Sequence, residues 1–253
     1  MANKLLGQHF LNDHDAIKKI VGALEPCDGD TVFEIGPGHG ELTRPLAEAY
    51  RGKNAKLYAI EKDPSLAARL EVDGVEVMRG NALEVLKEVT HKPLKIVGNI
   101  PYYLTGHLLR VIGELDERPT RAVFMVQKEV AERLAATPPH MNRLAASIQI
   151  WATPKITGTV PKQHFSPQPK IDSAIILLER RADAPDKEFS ARYYAAMHAL
   201  FAQPRKTIFN NLRAALTDSE RVSAALEKQS IDPIARPQNL SIEQISTIAS
   251  SLF

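Results

Sequence analysis

The chain has 253 residues, is 44% hydrophobic and 25% charged, and carries a formal net charge of +2, as is typical of a soluble globular protein with one large domain or two modest ones. It lacks the long apolar run of a transmembrane helix and the apolar core of a signal peptide, so we expect no membrane partner. Cys27 is the only cysteine, which excludes an intrachain disulfide and a cysteine-based zinc site and fits a reducing cytoplasm. We separately expect a monomer and no metal.

Strand and helix patterns alternate through the first half of the chain. Short buried runs bounded by turn residues predict strands, and apolar positions at helical spacing predict helices between them. Such alternation predicts an α/β fold with a mostly parallel sheet and helices on both faces. The predicted strands are 31–35, 56–60, 75–78, 94–97 and 121–126, and the predicted helices are 12–24, 42–48, 65–70 and 128–136.

The pattern changes after residue 140. A helix is predicted over 143–151 and closing strands over 156–160 and 174–178, followed by a linker at 182–186. The remaining tail has helical periodicity. Pro204 is predicted to open one of its helices, and Thr217 and Ser241 are predicted to begin capping boxes. We therefore expect a catalytic, cofactor-binding domain at 1–182 and a small all-α domain at 187–253.

A glycine-rich loop follows the first long predicted strand. Gly36, Gly38 and Gly40 are spaced G-x-G-x-G, and glycine lets a ligand approach the backbone closely. Glu61 ends the next strand, where a carboxylate commonly accepts hydrogen bonds from ribose hydroxyls. The glycines are one residue tighter than the dinucleotide pattern. The loop and the acid therefore predict a nucleoside cofactor, and the spacing favours S-adenosylmethionine, which has no pyrophosphate, over NAD.

The segment Asn99-Ile100-Pro101-Tyr102 follows the predicted strand 94–97. It combines an amide oxygen, a backbone carbonyl and an aromatic ring, which suits a flat base with an exocyclic amine. Pro101 disfavours helical geometry at Ile100 and so helps to fix its carbonyl. Because ligands of parallel sheets bind beyond the carboxyl ends of the strands, we expect this segment to share one site with Gly36, Glu61 and Asn81.

Charge is unevenly distributed along the chain. The ranges 133–171 and 189–217 contain no Asp or Glu but several Lys and Arg residues, together with aromatic residues. Such stretches are typical of surfaces that contact a phosphate backbone, which predicts nucleic-acid binding.

These features together resemble a known family. The motifs GQHFL at 7–11, EIGPG at 34–38, NIPY at 99–102, QKEV at 127–130 and FSPQPK at 165–170 resemble those of the ribosomal RNA adenine N6-dimethyltransferases, and the resemblance covers nearly the whole chain. The segment RKTIFNNL at 205–212 is similar to the small-subunit (16S) branch, of the KsgA/RsmA type, rather than to the large-subunit resistance methyltransferases.

The resemblance implies a Rossmann-like class I methyltransferase with S-adenosylmethionine as cofactor. Its expected substrate is 16S rRNA in the small subunit or its precursor, where two adjacent adenosines in a hairpin near the 3′ end would be dimethylated at N6 during subunit maturation. The implied catalytic residues are Asn99, Ile100, Pro101 and Tyr102, with Phe165 covering the other face of the base.

The resemblance also implies roles for other residues. His9 and Leu11 would line the methionine side of the cofactor, Gly36 and Gly38 would approach it by backbone, Glu61 would hold the ribose, and Asn81 and Asn99 would complete the site. Two positions depart from the family pattern: His9 stands where Asn is frequent, and Asn81 where Asp is usual. An amide keeps an acceptor but loses the charge, which predicts weaker cofactor affinity than in relatives.

The expected RNA contacts are Lys128, Lys170, Arg205 and Lys206. Several alternatives remain open at this point: the same chemistry on large-subunit rRNA, a DNA adenine methyltransferase, a ribosome-assembly factor that keeps the fold without catalysis, and an NAD dehydrogenase. A DNA enzyme would need a target-recognition region that the sequence does not display. The dehydrogenase is disfavoured by the glycine spacing and by the absence of an evident hydride-transfer pair.

Overall fold

The structure, a computed structural model, describes residues 9–89 and 94–253. The strands are β1 (Phe10–Leu11), β2 (Thr31–Ile35), β3 (Lys56–Glu61), β4 (Val75–Arg79), β5 (Leu94–Asn99), β6 (Arg121–Gln127), β7 (Ala152–Val160), β8 (Phe165–Ser166) and β9 (Ser173–Arg180). The helices are α1 (His14–Ala23), α2 (Thr43–Ala49), α3 (Pro64–Ala67), α4 (Ala82–Val85), α5 (Thr105–Glu114), α6 (Lys128–Leu134), α7 (Arg143–Gln149), α8 (Lys187–Leu200), α9 (Ile208–Leu216), α10 (Ser219–Lys228) and α11 (Ile242–Leu252).

Seven strands form the main sheet in the order β4-β3-β2-β5-β6-β9-β7. The pairings among β4, β3, β2, β5 and β6 are parallel, whereas β9 runs antiparallel to β6. The predicted mostly parallel sheet is therefore confirmed. Because β2, β3 and β5 are parallel, the residues that follow them meet at one edge of the sheet.

Both faces of this sheet are covered, as the run of buried residues in its strands predicts. Val32, Val97 and Val123 share a hydrophobic core with helices α1 and α2. Neighbouring residues along each strand point to the opposite face of the sheet. On that face, Phe33 of β2 and Ile96 of β5 are only 3% and 0% exposed. Helices α3 and α4 contact β3 of the sheet, and α5 contacts α4.

The chain separates into two compact units. The first contains residues 1–132 and 153–180, and the second contains 133–152 and 181–253. The segment 133–152 thus groups with the C-terminal helices, whereas the predicted ranges place it in the first domain. That 1–182 is a catalytic domain and 187–253 an RNA-contacting one stays a prediction.

Helices dominate the second unit. Helix α8 contacts α7, α9 and α11, and the hydroxyl of Tyr193 on α8 donates to the carbonyl of Ala146 on α7 at 3.0 Å. Tyr193 and Trp151 are the largest fully buried side chains of the second unit. The expected helical character of the tail is confirmed. No helix in the described ranges is long and apolar enough to cross a bilayer.

Helix starts test the predicted capping signals. Asp13 caps α1 by accepting from the Asp15 and Ala16 amides at 2.9 and 3.0 Å, and Ser241 forms a capping box with Gln244. Two other predictions are wrong. Thr207, not Pro204, precedes α9 and caps it, because Pro204 lies in the turn before that helix. Thr217 ends α9 in a left-handed conformation, and Asp218 caps α10.

Candidate active site

A cavity of about 290 Å³ lies in the first unit at the carboxyl ends of the parallel strands. It brings together the predicted residues His9, Gly36, Gly38, Glu61, Asn81 and the segment 99–102. They follow the ends of β2, β3, β4 and β5 or, for His9, lie just before β1. Their assembly follows from the parallel topology, which aligns the ends of β2, β3, β4 and β5.

The glycine-rich loop after β2 forms one wall. Gly36 and Gly38 have φ of 67° and 61°, conformations that favour glycine. A Cβ at Gly36 would project into open space, so the backbone there leaves room for a ligand. A Cβ at Gly38 would meet the ring of Phe10 at 2.8 Å. The loop is thus shaped from one side by Phe10 and open at Gly36.

Glu61 at the end of β3 is 5% exposed. Its Oε2 accepts from the Gly38 amide at 3.2 Å and its Oε1 from the Asp63 amide at 2.8 Å. These bonds tie the carboxylate to the glycine loop. Each carboxylate oxygen retains further acceptor capacity for the hydroxyls of a ligand.

Asn81 lies between β4 and α4 and uses its side chain locally. Its Oδ1 accepts from the Leu83 amide at 3.2 Å as the helix cap, and its Nδ2 donates to Glu84 Oε1 at 3.0 Å. The amide therefore lines the cavity while already engaged on both atoms. A ligand would share its oxygen rather than find it unused.

Asn99 ends β5 and its side chain has a defined orientation. Its Nδ2 donates to the main-chain carbonyl of His9 at 2.8 Å. Within the ranges that the structure describes, no donor reaches Oδ1 by hydrogen-bond geometry, so that oxygen remains an acceptor for a ligand. Pro101 opens a turn that the Leu104 amide closes at 2.9 Å, and this turn leads into α5.

Tyr102 is held at both ends. Its hydroxyl shares a hydrogen bond of 2.8 Å with Ser173 Oγ, and its ring stacks on that of His9 with centroids 5.6 Å apart and planes at 29°. Burial raises the pKa of Tyr102, against a smaller opposing effect of the Ser173 bond. The phenol is therefore neutral at ordinary pH, and the residue offers an aromatic surface rather than a base.

Two predicted residues lie apart from the cavity wall. Leu11 and Phe165 pair across the short antiparallel β1–β8 ribbon, and both are buried in the hydrophobic core, 4% and 5% exposed. Leu11 borders a small neighbouring cavity of about 30 Å³, which shares Gly36, Gly38 and Asn99 with the larger one. As the protein stands, Phe165 offers no exposed ring face, and its role against a base stays a prediction. Gly7 and Gln8, which belong with Leu11 to the GQHFL motif, lie outside the described residues.

Sequence reasoning missed several residues of the wall. Tyr103, Lys62 and His107 line the cavity, and Tyr103 is 62% exposed at its rim. Tyr103 and Lys62 directly follow predicted site residues in the sequence, and this adjacency is the sequence feature that could have identified them. His107 lies on α5, a helix that was not predicted, so its position could not be inferred.

The predicted RNA contacts are all exposed side chains. In the first unit, Lys128 begins α6 with its Nζ 3.9 Å from Glu132, and Lys170 lies in the loop after β8. In the second unit, Arg205 and Lys206 occupy the turn before α9.

That turn has a defined shape. The buried Asn211 accepts from the Gln203 amide at 3.2 Å and donates to its carbonyl at 3.0 Å. Thr207 closes the other side of the turn by accepting from the Asn210 amide at 3.3 Å. The RKTIFNNL motif therefore uses Asn211 and Thr207 to present two cations at the surface.

A buried carboxyl group lies beneath the glycine loop. Glu34 on β2 is 2% exposed, and its Oε2 has no hydrogen-bond partner in the described part of the chain. Burial raises the pKa of Glu34 to about 8, with the charges of Glu41 and Glu61 acting in the same direction and Thr43 opposing them. Glu34 is therefore mostly protonated at neutral pH.

The residues of the cavity fit an adenosine-type cofactor. Ile35, Ile60 and Leu83 offer apolar surface for a base, Glu61 offers acceptors for hydroxyls, and Gly36 leaves space at the backbone. The cavity lies at the lower end of the size range typical of small-molecule sites. Its apolar surface and the acceptors of Glu61 suit a nucleoside.

Comparison with known proteins identifies the family. A family model described as ribosomal RNA adenine dimethylase matches residues 1–252. The chain is 36% identical to the ribosomal RNA small subunit methyltransferase A of Lactobacillus helveticus, covering 99% of this chain and 91% of that protein. It is 38% identical to the protein of the same name from Chromobacterium violaceum, covering 98% and 95%.

Solved structures agree in fold. The 23S rRNA methyltransferase ErmE matches with a TM-score of 0.76 and 28% identity, covering 96% of this chain and 99% of that chain. A dimethyladenosine transferase from Plasmodium falciparum matches with a TM-score of 0.79 and 23% identity over 95% and 96%, and it shows the shared fold alone. The predicted Rossmann-like methyltransferase fold with a helical C-terminal part is confirmed, and the chain belongs to the ribosomal RNA adenine dimethylase family.

Proposed function

We propose that this enzyme transfers methyl groups from S-adenosylmethionine to N6 of adenosines in small-subunit ribosomal RNA, with two adjacent adenosines of a hairpin near the 3′ end of 16S rRNA as the target. The observation that carries the proposal is the Oδ1 of Asn99, which no donor reaches within residues 9–89 and 94–253, in a cavity that Tyr102 and Glu61 also line. An acceptor, an aromatic ring and a ribose-binding carboxylate in one cavity suit two nucleosides meeting there.

The cofactor supplies a methyl group on a sulfonium, which is electrophilic enough that no covalent enzyme intermediate is needed. Glu61 would accept from its ribose hydroxyls, Gly36 would face it by backbone, and Asn81 would contact its adenine. His9 and Leu11 are assigned to its methionine side. Holding the two reactants in line is a large part of the catalytic task, since such proximity lowers barriers by several kcal/mol.

Asn99 and Ile100 would act on the target nitrogen. The N6 amine of adenine is a poor nucleophile because its lone pair is delocalised into the ring. Two acceptors, Asn99 Oδ1 and the Ile100 carbonyl, would accept hydrogen bonds from the two N6–H groups and favour a pyramidal nitrogen. As positive charge grows on N6 in the transition state, these bonds strengthen, and that difference accelerates the reaction.

Tyr102 would stack on the extruded base. The target amine is inaccessible inside a base stack, so the nucleotide must leave the stack to reach the cavity. Stacking on an aromatic side chain is worth about 1–3 kcal/mol per base. Phe165 is the second aromatic residue proposed for the opposite face, which requires it to leave the core position that it occupies here.

Addition of a second methyl group changes the hydrogen bonding. A monomethylated amine carries one N–H, so either Asn99 or Ile100 loses its partner in the second transfer. The second methylation therefore relies more on stacking and on space in the cavity.

The choice of RNA rests on sequence likeness. The relatives described above are named as small-subunit methyltransferases, whereas ErmE, at 28% identity, is named for 23S rRNA. The exposed Arg205 and Lys206, in the motif similar to the small-subunit branch, are proposed to contact phosphates, as are Lys128 and Lys170. Large-subunit rRNA is the second candidate.

The test is methyl transfer from labelled S-adenosylmethionine to small ribosomal subunits that lack the modification, with large subunits beside them. Label recovered as N6,N6-dimethyladenosine on small-subunit RNA alone, and lost in Asn99→Ala, supports the proposal. Asn54→Ala, in an exposed loop away from the cavity, is the matched control and should keep full activity. Label on large subunits would move the substrate to that branch, and no label with cofactor still bound would favour an assembly factor.

A further inference from the structure

His9 makes three contacts that converge on the base-binding side of the cavity. Its main-chain carbonyl accepts from Asn99 Nδ2 at 2.8 Å. Its ring stacks on Tyr102 at 5.6 Å between centroids. Its Nδ1 shares a hydrogen bond of 2.7 Å with the carbonyl of Pro167. One residue thus touches the two side chains proposed to hold the target base and the loop beside them.

The carbonyl contact sets which atom of the Asn99 amide is available. An amide has one acceptor oxygen and one donor nitrogen, and only the oxygen can accept a hydrogen bond from an exocyclic amine. The His9 carbonyl can only accept, so it selects the orientation in which Nδ2 turns toward it. Oδ1 is then left for the ligand.

The ring contact limits the motion of Tyr102. Stacked aromatic rings restrain each other, and the hydroxyl of Tyr102 is fixed separately by Ser173. The bond from His9 Nδ1 to the carbonyl of Pro167 prevents rotation of the imidazole away from that stack. Since a carbonyl only accepts, Nδ1 carries the proton in this arrangement.

We propose that His9 is a positioning residue for the target base, in addition to lining the cofactor cavity: its carbonyl orients the Asn99 amide and its tethered ring fixes Tyr102. This inference rests on the proposed methyl transfer to adenine N6. It predicts that changes at His9 lower the rate of the chemical step at saturating cofactor and RNA, and not only the affinity for either.

Three substitutions separate the two side-chain contacts. His9→Phe keeps a ring on Tyr102 and removes the donor to Pro167, His9→Asn keeps an amide donor and removes the ring, and His9→Ala removes both. We expect kcat to fall about threefold in each of the first two and at least tenfold in His9→Ala. His140→Ala, at an exposed position in the second unit, is the matched control and should leave kcat unchanged.

A double-mutant cycle tests whether His9 acts through Tyr102. Once Tyr102 is replaced by Leu, the His9→Ala change should cost clearly less than it does in the parent enzyme, because coupled residues are not additive. Thermal unfolding and cofactor binding of each variant identify any loss of folding. If His9→Ala fails to fold, the same cycle with His9→Phe provides the test.

The outcomes distinguish the two levels of the proposal. Unchanged kcat with only a raised KM for the cofactor, or strict additivity with Tyr102→Leu, overturns the positioning role and leaves His9 as a cofactor contact. A parent enzyme that transfers no methyl group to any rRNA overturns the proposed function itself.

Discussion

At the scale of single residues, the site depends on which polar atoms are already engaged. Among the described residues, Asn99 has its amide nitrogen bound and its oxygen without a donor. Glu61 has both oxygens bound but retains acceptor capacity, and Asn81 has both amide atoms bound. An amide at position 81 therefore serves the α4 helix cap first. Its contribution to ligand binding is correspondingly limited.

Replacing Asn81 by Asp should tighten cofactor binding. A charged acceptor makes a stronger hydrogen bond than a neutral one, by about 1 kcal/mol, or about fivefold in Kd. The carboxylate would lie near Glu84, to which Asn81 Nδ2 now donates at 3.0 Å, so the change is best made in a Glu84→Gln background, with Glu84→Gln alone as the control. Calorimetric titration with S-adenosylmethionine measures the effect. An unchanged Kd would show that position 81 does not limit affinity.

The buried Glu34 should make stability depend on pH. Its pKa is raised from 4.5 to about 8 in the folded protein, so the folded state holds a proton that the unfolded chain has released between these values. Its contribution to stability therefore falls as pH rises through this window, by up to about 1.4 kcal/mol per pH unit, and levels off above it. Glu34→Gln removes this dependence.

Urea unfolding at several pH values between 5 and 9 checks this, following the difference between parent and Glu34→Gln. The variant should gain stability relative to the parent as the pH rises. A difference that is the same at every pH would contradict the raised pKa of Glu34.

At the scale of elements, the strands of the parallel sheet are held at their other ends by a buried ion pair. Lys95 on β5 is 5% exposed, and its Nζ lies 2.7 Å from Asp30 Oδ2 and 2.6 Å from the Glu25 carbonyl. The same Asp30 oxygen accepts from the Tyr50 hydroxyl at 2.7 Å and the Cys27 amide at 2.9 Å. This network joins β5, α2 and the turn before β2.

Lys95→Met should destabilise the protein by about 3–5 kcal/mol, because it leaves the Asp30 carboxylate buried without its counter-charge. The double variant Lys95→Met with Asp30→Asn should recover part of this loss, since it removes the unpaired charge. Chemical denaturation followed by circular dichroism measures both. Equal destabilisation in the single and double variants would show that charge is not the cause.

Elements with strong local signals could be predicted, and those without could not. Strand β2 has the predicted bounds, because a buried run there meets glycine directly. Helix α5 was missed although Leu108, Leu109 and Ile112 form an apolar face, because Leu104 at its start makes no side-chain cap. The ribbon of β1 and β8 has two residues in each strand, and such short strands carry no periodicity to recognise.

Part of the candidate site could likewise be predicted from the sequence, and part could not. Residues at the ends of parallel strands could be placed together from topology alone, and the cavity contains them. The contacts of His9 could not, because they depend on a loop far along the chain. Thr217 shows the limit of motif reading: its spacing to Glu220 fits a capping box, but its φ of 59° makes it a helix end.

At the scale of the whole molecule, the net charge is only +2. The charge that matters for RNA binding lies in local groups of exposed cations. Lys128 and Lys170 belong to the first unit, and Arg205 and Lys206 to the second. Both units thus expose cations that are proposed to contact phosphates. Such contacts release counterions, which makes RNA affinity fall with salt.

Arg205→Gln and Lys206→Gln should each weaken binding to small-subunit RNA and reduce the slope of log K against log salt by about one unit. Filter binding or fluorescence anisotropy over a salt series measures the slope. Lys228→Gln, at an exposed position at the end of α10, is the matched control and should leave the slope unchanged. If Arg205→Gln or Lys206→Gln has the same slope as the unmodified protein, the replaced side chain does not contact phosphate.

The pairing of His9 with Pro167 also bears on the order of folding. These residues are 158 positions apart, and closing a loop of that length costs about 4–5 kcal/mol of chain entropy beyond a constant. Formation of the parallel sheet shortens this loop, so the sheet should form first. During synthesis, the glycine loop and Asn99 would emerge and fold before the chain that completes the cavity. Substrate-binding competence should therefore appear late, after β8 and β9 have joined the structure.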